Sequence, residues 1–336
     1  MNIDFLKEVL SIPSISGDES MVRDYIIEYA KENGIEYYTD AKKNLYLTKG
    51  SGKMTSGEYY PCVVSHMDTV HSSHRELIES KTNLIIESST YSEGEDNEMT
   101  TLIAKHPITK EQTGIGGDDK CGVYVCLEMF ERFDVLKGAF FVEEEIGMLG
   151  SKQADDKFFE NVGYAIQFDA PSSNWISEVC SGVKLFDEDF KEEIKGTLNE
   201  CGYTKFSVDP FTDVNQLASK YDFNCLNLGC GYYRQHSTSE YVVVEEVSDS
   251  IKAGYELITK LGIEKYTHKK IEKKTLVNET NYSYLSYNDS EDYDFESDEY
   301  DELAESISDL VIDMYINGVS EEEIKEELAN HLRGMY

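Results

Sequence analysis

The chain has 336 residues and carries 66 Asp and Glu against 31 Lys and Arg, a formal net charge of −35 with histidine neutral. Nucleic-acid binding draws its affinity from lysines and arginines that displace counterions, so phosphate is repelled by most of this surface; a nucleic-acid partner and an anionic membrane partner are both excluded. With 40% hydrophobic residues the chain can bury a large core, which excludes full disorder and fits one large α/β domain with an appendage.

Residues 2–33 read as a helix pair or a bent helix. Ile3, Leu6, Val9 and Leu10 keep helical spacing, Pro13 and Gly17 interrupt it, and Met21, Tyr25, Ile26 and Tyr29 resume it. This N-terminus has no basic stretch followed by a long apolar run, so we expect no secretion signal and a cytoplasmic protein. Short apolar runs bounded by turn residues come next, and read as buried strands: IEYYTD, NLYLTK, YYPCVVSHMD, LKGAFFVEE, VGYAIQFD and FNCLNLGCG. Between them, residues 119–133, 187–201, 213–221 and 245–261 read as helices. The alternation predicts a single α/β domain over 1–264, with a mostly parallel or mixed central sheet flanked by helices. Residues 71–112 break the pattern and are expected to form an extra hairpin insertion.

The longest apolar stretches, CVV and GAFFV, are far too short to span a bilayer. Seven cysteines without a CxxC pair fit reduced core thiols. Residues 265–300 read as a charged, tyrosine-rich linker, and 301–336 as a C-terminal helix pair. From Asp289 onward there are 17 acidic and 2 basic residues, a net of −15, leaving −20 for the rest. A tail of that charge is a candidate surface for a protein partner.

Chemistry concentrates where apolar runs end. SHMDTV gives His66 and Asp68, a spacing in which a carboxylate can hold the second ring nitrogen of a ligating imidazole; a hydrogen-bonded core histidine has the same pattern. TGIGGDDKCG places Asp118 and Asp119 at a glycine-rich turn opening a helix, where a carboxylate can bridge cations or simply cap the helix. FFVEEEIG puts Glu144 and Glu145 after a buried strand, pointing opposite ways. YAIQFDAP ends in Asp169, and GCGYYRQHSTSE supplies His236. Two histidines and three carboxylates at the ends of separate strands form a nitrogen and oxygen ligand set that suits zinc.

In this order SHMDTVH, GGDDKCG, EEEIG, FDAP and YRQHSTSE resemble the co-catalytic di-zinc exopeptidases and amidohydrolases, a family that includes peptidase T, glutamate carboxypeptidases and aminoacylases. The resemblance covers roughly residues 3–262, and the wording of the motifs is closest to peptidase T. It implies two Zn²⁺, with Mn²⁺ or Co²⁺ fitting the same ligands. His66 and Asp169 would hold the first, Glu145 and His236 the second, with Asp118 bridging. It further implies that Asp68 orients His66, that Glu144 is the general base, and that the bond between Asp118 and Asp119 is cis. The interval from Asp169 to His236 is only 67 residues, too short for the lid domain that many relatives insert there. The layout therefore resembles single-domain zinc aminopeptidases. Tyr232, Tyr233, Arg234, His71 and His74 are candidates to replace lid residues, although each has the spacing of an ordinary surface residue. His268 and His331 are expected to be solvated.

The expected function is metal-dependent hydrolysis of short peptides, as an aminopeptidase. One alternative is an N-acyl amino acid deacylase with the same metal site, and another is a partner-binding or charge-mimic protein acting through the acidic tail.

Overall fold

The computed structural model describes residues 1–92, 98–209 and 211–269. Most of the expected linker, the C-terminal helix pair and His331 lie outside the described residues. Two helices open the chain, α1 (Ile3–Ser11) and α2 (Ser20–Glu32), separated where Pro13 and Gly17 interrupt the pattern. Asn2 caps α1, its Oδ1 accepting from the backbone N–H groups of Asp4 and Phe5. Strands β1 (Glu36–Thr39), β2 (Leu45–Lys49) and β3 (Tyr60–His66) follow, the last buried throughout. Helix α3 (Arg75–Ser80) leads into a hairpin of β4 (Ile85–Ser92) and β5 (Glu98–Lys105), then a short β6 (Gln112–Thr113).

Helix α4 (Gly117–Arg132) is enclosed along most of its length and delivers the chain to β7 (Leu136–Phe141). After α5 (Asp156–Phe159) and β8 (Val162–Ala170) come β9 (Trp175–Cys180), β10 (Val183–Lys184), α6 (Glu188–Glu200) and β11 (Lys205–Asp209). Helix α7 (Asp213–Lys220), β12 (Asn224–Gly229), β13 (Tyr232–Tyr233), β14 (Tyr241–Val243) and α8 (Val244–Leu261) complete the order.

Among the described residues these strands form two sheets. The larger runs β1-β2-β7-β3-β8-β12-β9-β10, with β11 on β9. Its centre, β7-β3-β8-β12, is parallel, and β2 and β9 join that block antiparallel. The four central strands lie between helices on chain crossovers, which is why they read as continuous apolar runs. Helix α4 packs on β3 and β8, and α8 packs on α4. No helix among the described residues is long and apolar enough to cross a membrane.

The hairpin β4-β5 lies within 71–112 and forms a second sheet with β6, β14 and β13, paired through Val242 to Leu102. Two features differ from the sequence reading. Strands β9 and β11 have no counterpart among the predicted runs, because WISEVC and KFSVD alternate polar residues on the outer part of the sheet. The chain also stays on the fold past residue 264. Tyr266 donates its N–H to Gly163 O and accepts from Asn224 N, His268 N bonds Asp222 O, and His268 is buried rather than solvated.

Gly163 permits that last contact, since a Cβ there would stand 2.0 Å from the carbonyl oxygen of Glu264. A backbone atom cannot swing aside as a side-chain tip can. Gly163→Ala is therefore expected to destabilise the domain by about 1–3 kcal/mol, read as a lower urea midpoint; an unchanged midpoint would mean that 264–268 does not pack there.

Candidate metal centre

The candidate residues converge at the carboxyl ends of the four parallel strands. His66 ends β3, Glu144 and Glu145 follow β7, and Asp169 is the penultimate residue of β8. His236 lies in the connection between β13 and β14, just past β12. Ligands gather outside the carboxyl ends of parallel strands because loops there close over a crevice that the sheet leaves open. Asp118 reaches the same place from the start of α4, where Asp118 and Asp119 have non-helical backbone angles and the bond joining them is cis.

Asp118 is shared between two groups. Its Oδ1 lies 3.1 Å from His66 Nε2, which is also 3.5 Å from Asp169 Oδ1. Its Oδ2 lies 3.2 Å from His236 Nε2, which is 3.0 Å from Glu145 Oε2. Glu144 Oε2 stands 4.0 Å from His66 Nε2. The two groups differ in exposure: the His66 side chain is 1% exposed and that of His236 is 52% exposed.

Supporting contacts hold this arrangement. The carboxylate of Asp68 accepts from the N–H of Glu144 at 3.0 Å, from the N–H of Glu145 at 3.2 Å and from Ser16 Oγ at 2.7 Å. His66 Nδ1 is nearer the Asp68 carbonyl, at 3.0 Å, than the Asp68 carboxylate, at 3.4 Å. Asp68 thus fixes the turn that carries both glutamates, and much of its hold on His66 comes through its main chain. Asp119 accepts from Ser65 Oγ, His66 N and Gly122 N, so its oxygens are already supplied with donors. Gln167 donates to Asp169 Oδ2 at 3.1 Å while its carbonyl oxygen accepts from Thr212 Oγ1 and Val214 N. Tyr232 Oη approaches Asp169 Oδ1 at 3.4 Å.

The electrostatics follow from crowding. Burial raises Glu145 to about 7 and Asp169 to about 6, and neighbouring carboxylates add to both. Glu144 goes well above the usual carboxylate range for the same reasons. Hydrogen bonds to Asp118 and Glu145 lift His236 to about 11. His66 is also raised, since the pull of Asp169 and Asp118 outweighs its burial. Asp118 is held low, its burial overcome by the two imidazoles. Each imidazole thus sits where carboxylate oxygens favour positive charge.

Such a donor set fits a divalent cation in each group. Zinc bonds of about 2.0–2.2 Å at tetrahedral angles place neighbouring ligand atoms roughly 3.3–3.5 Å apart, and the four distances around Asp118 run from 3.0 to 3.5 Å. His66, Asp118 and Glu145 offer ligand atoms within 4.8 Å of one another, as do His66, Asp119 and Asp169. The first set spans both groups across Asp118, and in the second Asp119 is already committed to its donors.

All seven residues singled out in the sequence therefore meet in one place. Others were missed or misread. His71, His74 and Tyr232 are buried, not surface residues, whereas Arg234 is exposed. Gln167 was readable, since it lies two residues before Asp169 on a strand and so shares its face. Asp213, at the first turn of α7, is buried with Ser151 beside its carboxylate, and burial raises it to about 8; nothing in PFTDVNQLASKY marks it. Glu143, the first of the three consecutive glutamates after β7, pairs with Lys42. All seven cysteines are buried, and none is in a disulfide.

The described fold is that of solved aminopeptidases. The aminopeptidase PepT of Bacillus cereus superposes with a TM-score of 0.58 at 14% identity, covering 77% of this chain and 97% of that one. An aminopeptidase of the archaeon Desulfurococcus kamchatkensis gives 0.56 at 16% identity, over 81% and 98%. The TET1 peptidase of Pyrococcus horikoshii, which can assemble into a tetrahedron or a large octahedral shell, gives 0.54 at 17% identity, over 76% and 98%. At these identities the likeness is one of fold. No family model matches the sequence, and no curated protein sequence matches it.

The shifts set a pH dependence for the metal-free protein. Glu145, Asp169 and His236 all bind protons more tightly when folded, so the stability they contribute is present at low pH and lost as pH rises. For the carboxylates the loss begins near pH 4 and runs to about 6 and 7; for His236 it begins near 6.5 and continues upward. Asp68 and Asp118, shifted down, act oppositely below about pH 4, and burial lowers His74 to about 3 and Lys120 to about 7, which offsets part of the loss up to about pH 6.5 and again above about pH 7. Between pH 5 and 8 the melting temperature of chelator-treated protein should fall, on the order of 5 °C, and added Zn²⁺ should flatten the slope. A melting temperature that rises over this range would contradict the assignment.

Proposed function

We propose that this chain is a metal-dependent exopeptidase that hydrolyses short peptides at a pair of divalent cations, zinc being the best match to the ligand set, and that it acts as an aminopeptidase. The observation that carries the reading is Asp118, whose two oxygens each face a separate histidine and carboxylate pair. The fold shared with solved aminopeptidases supports it.

His66 and Asp169 would hold one cation, Glu145 and His236 the other, with Asp118 common to both. Cations bound there would supply positive charge to polarise an amide carbonyl and to bring the pKa of water toward neutrality. Glu144 takes a proton from the attacking water and delivers it to the departing amine. It suits that role because it stands beside His66 with no N–H donor to its carboxylate among the described residues, unlike Asp68, and burial makes it more basic than an exposed carboxylate. Its position is fixed through its own N–H, which Asp68 Oδ1 accepts. The half-exposed His236 marks the side from which substrate enters, while His66 closes the floor.

Glu144→Gln should lower kcat by about 10²–10⁴-fold with metal content unchanged; retained turnover would remove Glu144 from the proton path. A panel of tripeptides with free or acetylated N-termini separates the aminopeptidase from the deacylase. Cleavage of the free-amine set is expected, and cleavage confined to the acetylated set would make the chain a deacylase.

A further inference from the structure

One buried charge outside the residues assigned above is tied to the centre through the backbone. Glu240 lies four residues beyond His236, on the run into β14, and is fully enclosed. Its Oε2 accepts from Gly116 N at 2.7 Å and lies 2.8 Å from His71 Nε2, while Oε1 accepts from Asp118 N at 3.2 Å. These partners belong to two other loops, the one that follows β3 past His66 and Asp68, and the one that carries Asp118. A single carboxylate thus joins three of the segments on which the candidate ligands sit.

The local sequence is shaped around this contact. His71 is buried against Gly114, where a Cβ would fall 2.0 Å from the imidazole Cε1, so the ring reaches Glu240 only because residue 114 has no side chain. Gly116 has a left-handed φ of 65°, which turns the chain so that the N–H groups of residues 116 and 118 point to one carboxylate. A neutral acceptor would satisfy ordinary loop donors with less electrostatic penalty. Buried Lys120 attracts the Glu240 charge and offsets part of its cost, and a charged acceptor is stronger and sets direction more firmly than a neutral one.

The residue it grips is the one that two groups share. With its N–H bonded to Glu240, Asp118 is held so that Oδ1 meets His66 and Oδ2 meets His236. We infer that Glu240, oriented by His71, is a positioning residue for Asp118 that determines whether both cation positions form at once. This rests on the two-cation reading proposed above.

The test compares wild-type protein, Glu240→Gln, His71→Gln and His71→Leu, each stripped of metal and titrated with Co²⁺. The readouts are ions bound per chain, affinity by competition with a chromophoric chelator, the visible spectrum of the cobalt form, and thermal unfolding. Glutamine at 240 turns an N–H toward at least one of the donors that the carboxylate accepts. It should therefore weaken the second ion at least tenfold and alter the cobalt spectrum, while the first ion still binds. His71→Gln keeps a donor within reach of Glu240 and should stay within about threefold of wild type, whereas His71→Leu should follow Glu240→Gln.

A role in stability alone would lower the melting temperature without separating the two ions or distinguishing the two His71 variants. If Glu240→Gln does not fold, the His71 pair decides the matter, because equal behaviour of Gln and Leu there overturns the inference. Two ions bound by Glu240→Gln with wild-type affinity and spectrum also overturn it, leaving the metal centre intact. A wild-type protein that binds no second ion overturns both.

Discussion

Acidic side chains gathered where water is excluded are the constraint around which this structure is arranged. Asp68, Asp118, Asp119, Glu144, Glu145 and Asp169 all meet at the ends of β3, β7 and β8 and the start of α4, with little exposure. Buried like charges either take up protons or find positive partners. The chain divides them by the donors it provides. Asp68 and Asp119 accept from backbone N–H groups and serines, and so become struts between loops. Asp118 and Glu145 face imidazoles, and Asp169 faces His66 with only a glutamine and a tyrosine behind it. The donor pattern therefore separates carboxylates that hold the fold from carboxylates left available to a cation.

The fold makes such crowding geometrically available. Adjacent strands lie about 4.8 Å apart, so residues at the ends of β7, β3 and β8 are forced into one neighbourhood whatever their charge. The second sheet supplies the last member. The loop bearing His236 is the connection of the β13-β14 hairpin, and β14 is anchored on β5 through Val242 and Val243. The segment between His66 and Asp118 is thus no mere appendage to the main sheet, because its hairpin is the platform on which the opposite side of the site is built.

Much of this was legible in the sequence, for physical reasons that also explain the rest. Buried parallel strands must be apolar until they emerge, so His66, Glu144, Glu145 and Asp169 announced themselves as polar residues ending apolar runs. Asp118 stood out through the glycines beside it. Glu240 and Asp213 were not marked, because the groups they face are distant in the chain, His71 for the one and Ser151 and Asp169 for the other. His71 read as a loop residue for the same reason: burial depends on Glu240 and Gly114, which no local pattern couples to it. Strand β11 was missed because an outer strand has no need of a continuous apolar run.

The two halves of the site differ in a way that bears on how it would work. His66 is enclosed by the sheet and its supporting contacts, and its ring cannot move without disturbing Asp68, Asp118 and Asp169 together. His236 is half exposed, sits at a left-handed φ of 60° between two short strands, and among the described residues pairs with Asp118 and Glu145. A residue so placed is held by its neighbours more than by its own backbone preference. The rigid half can therefore keep its geometry without help, while the open half depends on Asp118 being presented correctly. That asymmetry puts the burden of assembling the site on the loop from Gly114 to Asp118, and explains why a buried carboxylate and a histidine are committed to holding it.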